Sequence, residues 1–278
     1  MSEIMVRQPM YPIWNEVTLS NYPDGMPIVN VPKPDYSETF EMHLHPDTML
    51  LRPKTLEQFV SAMFYCDAAA ERGHEISHLI IPHVPGGRQD RLNPSGDYLF
   101  TLKSVARMIN ERGFEKVTVV DPHSMVTPAL INRCRVITTA DIVHTSHGSY
   151  FEGYDGVIAP DAGAAKRAFD VSQVLGVEFW QAEKHRDVKT GKLSGFYCPP
   201  LRGEKFLVVD DICDGGGTFL GLADELNSQS VDHDLFVTHG IFSQGTEKLL
   251  SSYGKVITTD TTTFYKHDAD VLSIAEGL

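Results

Sequence analysis

A chain of 278 residues with 42% hydrophobic and 22% charged residues has the make-up of a folded protein of one large or two ordinary domains, which excludes a disordered chain. A net charge of −13 argues against a general nucleic-acid binder, which carries a basic face, but leaves anionic small molecules open. No basic-then-apolar leader and no apolar run of transmembrane length is seen, so a cytoplasmic protein with no membrane association is expected. Cys66, Cys134, Cys198 and Cys213 show no C-x-x-C spacing, which predicts thiols in a reducing compartment rather than a zinc site or redox pair.

After an irregular N-terminal region, strands and helices alternate. A strand is predicted over 48–53, then a helix over 55–73, with Leu56, Phe59, Val60, Met63 and Phe64 on one face and a Thr55/Gln58 capping box. A strand follows at 77–84, a helix at 98–113 stopped by Gly113, and a strand at 116–121. The second half repeats the rhythm. Strands are predicted at 156–161, 177–180, 205–211, 233–242 and 255–261, with helices after the first, third and fourth of them. Such alternation implies α/β architecture, with parallel sheets covered by helices. Two arrays of similar size predict two α/β domains, 1–140 and 141–278.

Ligands of open α/β sheets bind beyond the carboxyl ends of the strands. Asp90, Asp121, His123, Asp161, Asp210 and Asp211 all fall at or just after predicted strand ends. A single strand-end aspartate is usually a cap or turn residue; several on one edge point to a polar site. The most informative stretch is "VVDDICDGGGTF" (208–219), a strand ending in two carboxylates and followed by a glycine-rich turn into a helix. Such a turn aims backbone N–H groups and a helix N-terminus at one spot, which suits a phosphate, and glycines let the backbone come close. The G-K-[ST] ending of a Walker loop is absent.

These segments resemble, in the same order, those of the ribose-phosphate pyrophosphokinases. "IPHVPGGRQDR", "VVDPHS", "APDAGAAKRA", "EKHR", "VVDDICDGGGT", "FVTHGIFS" and "ITTDT" carry the resemblance. It implies two phosphoribosyltransferase-like domains, each a mainly parallel sheet flanked by helices. It also implies transfer of the β,γ-diphosphoryl group of ATP to the anomeric hydroxyl of ribose 5-phosphate, with release of AMP and with Mg²⁺ held mostly through substrate phosphates. On the matching positions, Lys184 and Arg186 belong to a mobile catalytic loop and His123 contacts the reacting phosphates or Mg²⁺. Asp161 serves the ribose hydroxyls and a metal. Arg88, Gln89 and Asp90 bind ATP. Asp210, Asp211, Asp214, Gly215, Gly216, Gly217 and Thr218 bind the ribose phosphate. "NYPDGM" (21–26) resembles a hairpin lent by a neighbouring subunit, with Tyr22 stacking on adenine and Asp24 accepting from its amino group, so a homo-oligomer (dimer or hexamer) is implied.

Departures from the family pattern bear on the acceptor. Gly215 stands where the family usually carries threonine, so one hydroxyl ligand for a terminal 5-phosphate is missing. His83 and Gly86 replace aromatic residues, Met26 replaces a glutamate, and "SMVTPALINRC" replaces a segment tied to allosteric contacts. A 5-phosphate that is already esterified needs space more than donors, which makes ADP-ribose the alternative acceptor, giving ADP-ribose 1-pyrophosphate for NAD synthesis. A phosphoribosyltransferase would share the glycine loop without needing Arg88-Gln89-Asp90. A silent regulatory homologue would not need Lys184, Arg186 and His123.

Overall fold

The computed structural model describes residues 4–7, 14–17, 19–24, 26–29, 47–92, 99–145, 148–186, 193–262 and 267–274. The chain forms two compact units, Met1–Val136 and Ile137–Leu278. In the first lie β1 (Ile4–Arg7), β2 (Trp14–Val17), β3 (Leu19–Asn21), β4 (Pro27–Val29), β5 (Asp47–Leu51), α1 (Leu56–Ala70), β6 (Ile76–Ile80), α2 (Thr101–Glu111), β7 (Lys116–Val120) and α3 (Val126–Leu130). With β8 (Cys134–Ile137) they build a six-stranded sheet of order β2-β1-β5-β6-β7-β8. The β5, β6 and β7 strands are parallel, whereas β1 pairs antiparallel with both β2 and β5. A separate hairpin joins β3 to β4.

The second unit holds α4 (Thr139–Thr145), β9 (Gly156–Ala159), α5 (Ala165–Leu175), β10 (Glu178–Gln181), β11 (Glu183–Arg186), β12 (Leu193–Tyr197), β13 (Lys205–Cys213), α6 (Gly217–Ser228), β14 (Asp232–Gly240), α7 (Glu247–Ser252), β15 (Val256–Thr259) and β16 (Asp270–Leu272). Its main sheet has the order β10-β9-β13-β14-β15-β16 and is parallel throughout. Phe206, Leu207, Val208 and Val209 are all fully buried, as are Leu235, Phe236 and Val237. Successive residues point to opposite faces of a strand, so both faces of β13 and β14 are covered. The β11–β12 pair is antiparallel and packs against α6.

Local chemistry explains much of this. The capping box forms: Gln58 N–H donates to Thr55 Oγ1 at 3.2 Å, and Thr55 N–H donates to Gln58 Oε1 at 3.1 Å. The face of α1 differs from the expected one. Phe59, Ala62, Met63, Tyr65 and Ala69 are buried, while Leu56 and Phe64 are 59% and 40% exposed. At 100° per residue the buried arc is displaced by about a third of a turn. Ser61, Ala62 and Ala69 are the reason, because small side chains let the helix approach the sheet on that side. Among the described residues no helix is long and apolar enough to cross a membrane. All four cysteines are free thiols.

Candidate functional site

In the first unit the segments after β6 and β7 meet around Asp90. The turn after β6 is closed by Gly87 N–H to Val84 O at 3.0 Å and Gln89 N–H to Gly86 O at 2.8 Å. Gly86 has φ +74°, and a Cβ there would stand 3.2 Å from Thr101 Cγ2. The turn itself therefore favours glycine at this position, whatever else the lost bulk does. Asp90 is 3% exposed and is gripped by Arg91, with Nε to Oδ1 at 2.9 Å. Burial acts to raise its pKa, but hydrogen bonds from Arg91 and Ser124 and the charges of Arg91 and His123 outweigh it. The carboxyl is held below its ordinary range.

Arg88 and Gln89 are exposed beside it. Asp121 is buried and sits at φ +37°, a conformation that costs energy outside glycine and recurs at functional strand ends. His123, two residues on, is exposed. In the β3–β4 hairpin, Tyr22 N–H donates to Met26 O at 2.8 Å, and Asp24 Oδ1 accepts from Met26 N–H at 3.0 Å. The Tyr22 ring is left 57% exposed at the tip.

In the second unit β13 does not end at Asp210 and Asp211 as the sequence suggests. It runs on to Cys213, because Ile212 and Cys213 still pair with His239 and Gly240 of β14. The two carboxylates thus lie inside a strand and are largely buried. Arg167 of α5 stands 3.5 Å from Asp210 Oδ1 and 3.8 Å from Asp211 Oδ1. Burial and the neighbouring Asp211 push the Asp210 pKa well up, with Arg167 pulling the other way. Cys213 is no nucleophile: burial first, then Asp214 and Asp210, push its thiol up to about 12.

Asp214 accepts a hydrogen bond from Ser243 Oγ and opens the glycine turn. Gly216 is left-handed at φ +75° and serves as the N-cap of α6, with no side chain capping that helix end. Gly215 and Gly217 are different. Neither has a left-handed φ; a Cβ at Gly217 would meet nothing within 4 Å, and one at Gly215 only Gln244 Cγ at 3.8 Å. Of the three glycines, only Gly216 is required by the backbone of this turn.

Lys184 Nζ donates to Thr218 Oγ1 at 2.7 Å, which sets an amine over the first turn of α6. Lys184 and Arg186 belong to strand β11 rather than to an irregular loop, since β12 supplies its pairing partner. The side chain of Arg186 and residues 187–192 lie outside the described residues. Asp161 takes the role of a turn residue: its Oδ1 accepts from Gly163 N–H at 2.9 Å just before α5.

Comparisons with known proteins agree with this architecture. A model of the phosphoribosyl transferase domain matches residues 131–265. The ribose-phosphate pyrophosphokinase of Methanopyrus kandleri is 30% identical over 252 residues, covering 86% of this chain and 81% of that one. The chain belongs to the ribose-phosphate pyrophosphokinase family, a family of diphosphotransferase enzymes. The pyrophosphokinase of Thermococcus kodakarensis is 28% identical over 254 residues, covering 88% and 85% of the two chains. A crystal structure of phosphoribosylpyrophosphate synthetase from Mycobacterium smegmatis superposes with a TM-score of 0.74 at 21% identity, covering 94% of this chain and 86% of that one. The pyrophosphokinase fold is thereby shared.

Four residues that make contacts around these positions were not singled out from the sequence: Arg91, Ser124, Arg167 and Ser243. Arg91 and Ser124 each directly follow a flagged residue, Arg167 lies six beyond Asp161, and Ser243 ends the segment "FVTHGIFS". What singles them out is contact across the fold, as between Arg167 and β13 or Ser243 and Asp214.

Proposed function

We propose that the protein transfers the β,γ-diphosphoryl group of Mg-ATP to the anomeric hydroxyl of a ribose 5-phosphate-type acceptor and releases AMP. The ribose O1 bonds to the β-phosphorus as the bond from that phosphorus to the α,β-bridging oxygen breaks. AMP leaves with the bridging oxygen, and the hydroxyl proton passes to solvent. The observation that carries this reading is the Lys184 amine held 2.7 Å from the Thr218 hydroxyl at the uncapped start of α6. Free N–H groups at a helix start and one fixed cation favour a phosphate, and charge that develops on phosphoryl oxygens is what such donors stabilise.

In this reading Asp214 to Thr218 hold the acceptor's 5-phosphate, and Asp161, Asp210 and Asp211 meet the ribose hydroxyls. Lys184 and Arg186 neutralise the transferring group. Arg88 and Gln89 bind ATP, while Asp90 fixes Arg91 and orders their turn. Tyr22 and Asp24 take the adenine of a neighbouring subunit in a cytoplasmic homo-oligomer. Mg²⁺ takes oxygen ligands and keeps several waters. Among the described residues no group of three or more His, Cys, Asp or Glu side chains converges, and Asp161 keeps its second carboxylate oxygen clear of the turn bond. The free carboxylate oxygen of Asp161 fits an ion carried mostly on substrate phosphates. When bound, it would screen the phosphate charge.

Gly215 favours a second reading of the acceptor. Nothing in the backbone requires glycine there, yet the position is left bare and open. A bare position beside the 5-phosphate seat accommodates an esterified phosphate such as that of ADP-ribose. The test is initial rates of AMP formation with ribose 5-phosphate and with ADP-ribose, for the native enzyme and for Gly215→Thr. The open-position reading expects Gly215→Thr to lower kcat/KM for ADP-ribose at least tenfold relative to ribose 5-phosphate. An unchanged ratio removes it and leaves ribose 5-phosphate as the acceptor.

A further inference from the structure

The turn that follows β14 lies along the bare side of the glycine loop, and we propose that Gln244 in it is an acceptor-reading residue whose carboxamide hydrogen-bonds the phosphate seated at the start of α6. This rests on the functional reading above and adds a specificity determinant to it. The turn is firmly built. Ile241 N–H and Phe242 N–H both donate to Cys213 O, at 2.9 and 3.0 Å, and Ser243 Oγ donates to Asp214. Phe242 is 1% exposed and left-handed at φ +50°. Gly240 makes room for it, because a Cβ there would fall 2.2 Å from Phe242 Cε2. Gly245, left-handed at φ +74°, returns its N–H to Phe242 O at 2.9 Å.

A turn so anchored fixes where Gln244 starts. Its Cγ is the atom nearest to where a Gly215 Cβ would stand, at 3.8 Å, so this side chain flanks the space that Gly215 leaves bare. Gln244 is exposed, and its carboxamide makes no hydrogen bond to another described residue. A primary amide offers two donors and an acceptor with no net charge. It suits phosphate oxygens of a monoester or a diester, because it adds donors without the bulk or charge of a second lysine. The acceptor class is therefore a phosphorylated sugar whose 5-phosphate is met from the β14 side by an amide and from the β11 side by Lys184.

Direct binding separates this inference from the reaction itself. Calorimetric titration of ribose 5-phosphate and of ADP-ribose is carried out on the native protein, Gln244→Ala and Gln244→Glu, with thermal unfolding to confirm that all three fold alike. The expected result is about a tenfold weaker Kd for Gln244→Ala with the tighter ligand, the cost of a hydrogen bond to a charged group. Gln244→Glu is expected to weaken it further, in a salt-dependent way, and ATP binding should be unchanged in both. Equal Kd values for native and Gln244→Ala overturn the role of Gln244. A native protein that binds neither ligand overturns it too. Native binding without AMP formation contradicts the proposed reaction and leaves Gln244 to be judged on the binding data alone.

Discussion

Lys184→Ala is expected to lower kcat for AMP formation by about two to three orders of magnitude while the protein stays folded. Removing one preorganised donor from a developing phosphoryl or oxyanion charge costs about a hundred- to a thousandfold in comparable sites. The amine is half-buried at 2.7 Å from Thr218 Oγ1, so it is already positioned and its removal cannot be offset by a mobile cation nearby. The structural loss is small by comparison: one side-chain hydrogen bond contributes about 1 kcal/mol to stability. Lys184→Arg should recover part of the rate, because the charge returns while the planar fork fits a point-charge position poorly. Steady-state rates and thermal unfolding on the three proteins check this. A kcat for Lys184→Ala within threefold of native would remove the residue from the mechanism.

Arg167→Met is expected to destabilise the fold by about 3 kcal/mol at slightly alkaline pH, and by less as the pH falls. Removing one partner of a buried ion pair leaves an uncompensated charge, which typically costs about 3–5 kcal/mol. Asp210 and Asp211 have side chains only 17% and 6% exposed, and Arg167 stands beside both. The sign with pH follows from the raised Asp210 pKa. A carboxyl whose folded pKa lies above its unfolded value gives stability that is complete below the unfolded pKa, about 4, and is lost as pH rises through the folded one. Native protein should therefore lose stability over that interval. Arg167→Met should lose more and keep losing to higher pH, since Arg167 is what restrains the shift. Urea unfolding at several pH values measures it. A destabilisation that is the same at pH 5 and pH 8 would show that the aspartate pair is not what Arg167 holds.

How much of this was legible depended on distance along the chain. Apolar runs such as 206–209 and 235–237 announced buried parallel strands, and Thr55 with Gln58 announced the start of α1 because a capping box is complete within four residues. The glycine turn between strand and helix was legible for the same reason: strand, turn and helix are contiguous. Short strands were not. The antiparallel β1 and β2 and the parallel edge strand β16 have three or four residues each, too few for a period-two pattern to stand out. The face of α1 was misplaced because apolarity was weighed and smallness was not, although Ala62 and Ala69 decide which side can approach the sheet.

Asp210 and Asp211 lie inside β13 and not at its end, and the surroundings of the flagged carboxylates were set by side chains that no local pattern announces, most of them far away in sequence. Arg167 turns Asp210 and Asp211 into an ion-paired cluster, and Arg91 with Ser124 turns Asp90 into an anchor. No periodicity encodes such contacts. The glycines show the same limit in reverse. Gly215, Gly216 and Gly217 look alike as letters, yet only the φ of +75° at Gly216 makes glycine obligatory.

The most direct test of the proposed reaction follows where the phosphorus goes. ATP carrying radioactive phosphorus at the β position is mixed with Mg²⁺, the native protein and each acceptor in turn, and products are separated by ion-exchange chromatography and counted. Diphosphoryl transfer predicts unlabelled AMP and the label bonded to the anomeric oxygen of the acceptor. Label retained in ADP would mean transfer of the γ-phosphoryl group alone and would contradict the account.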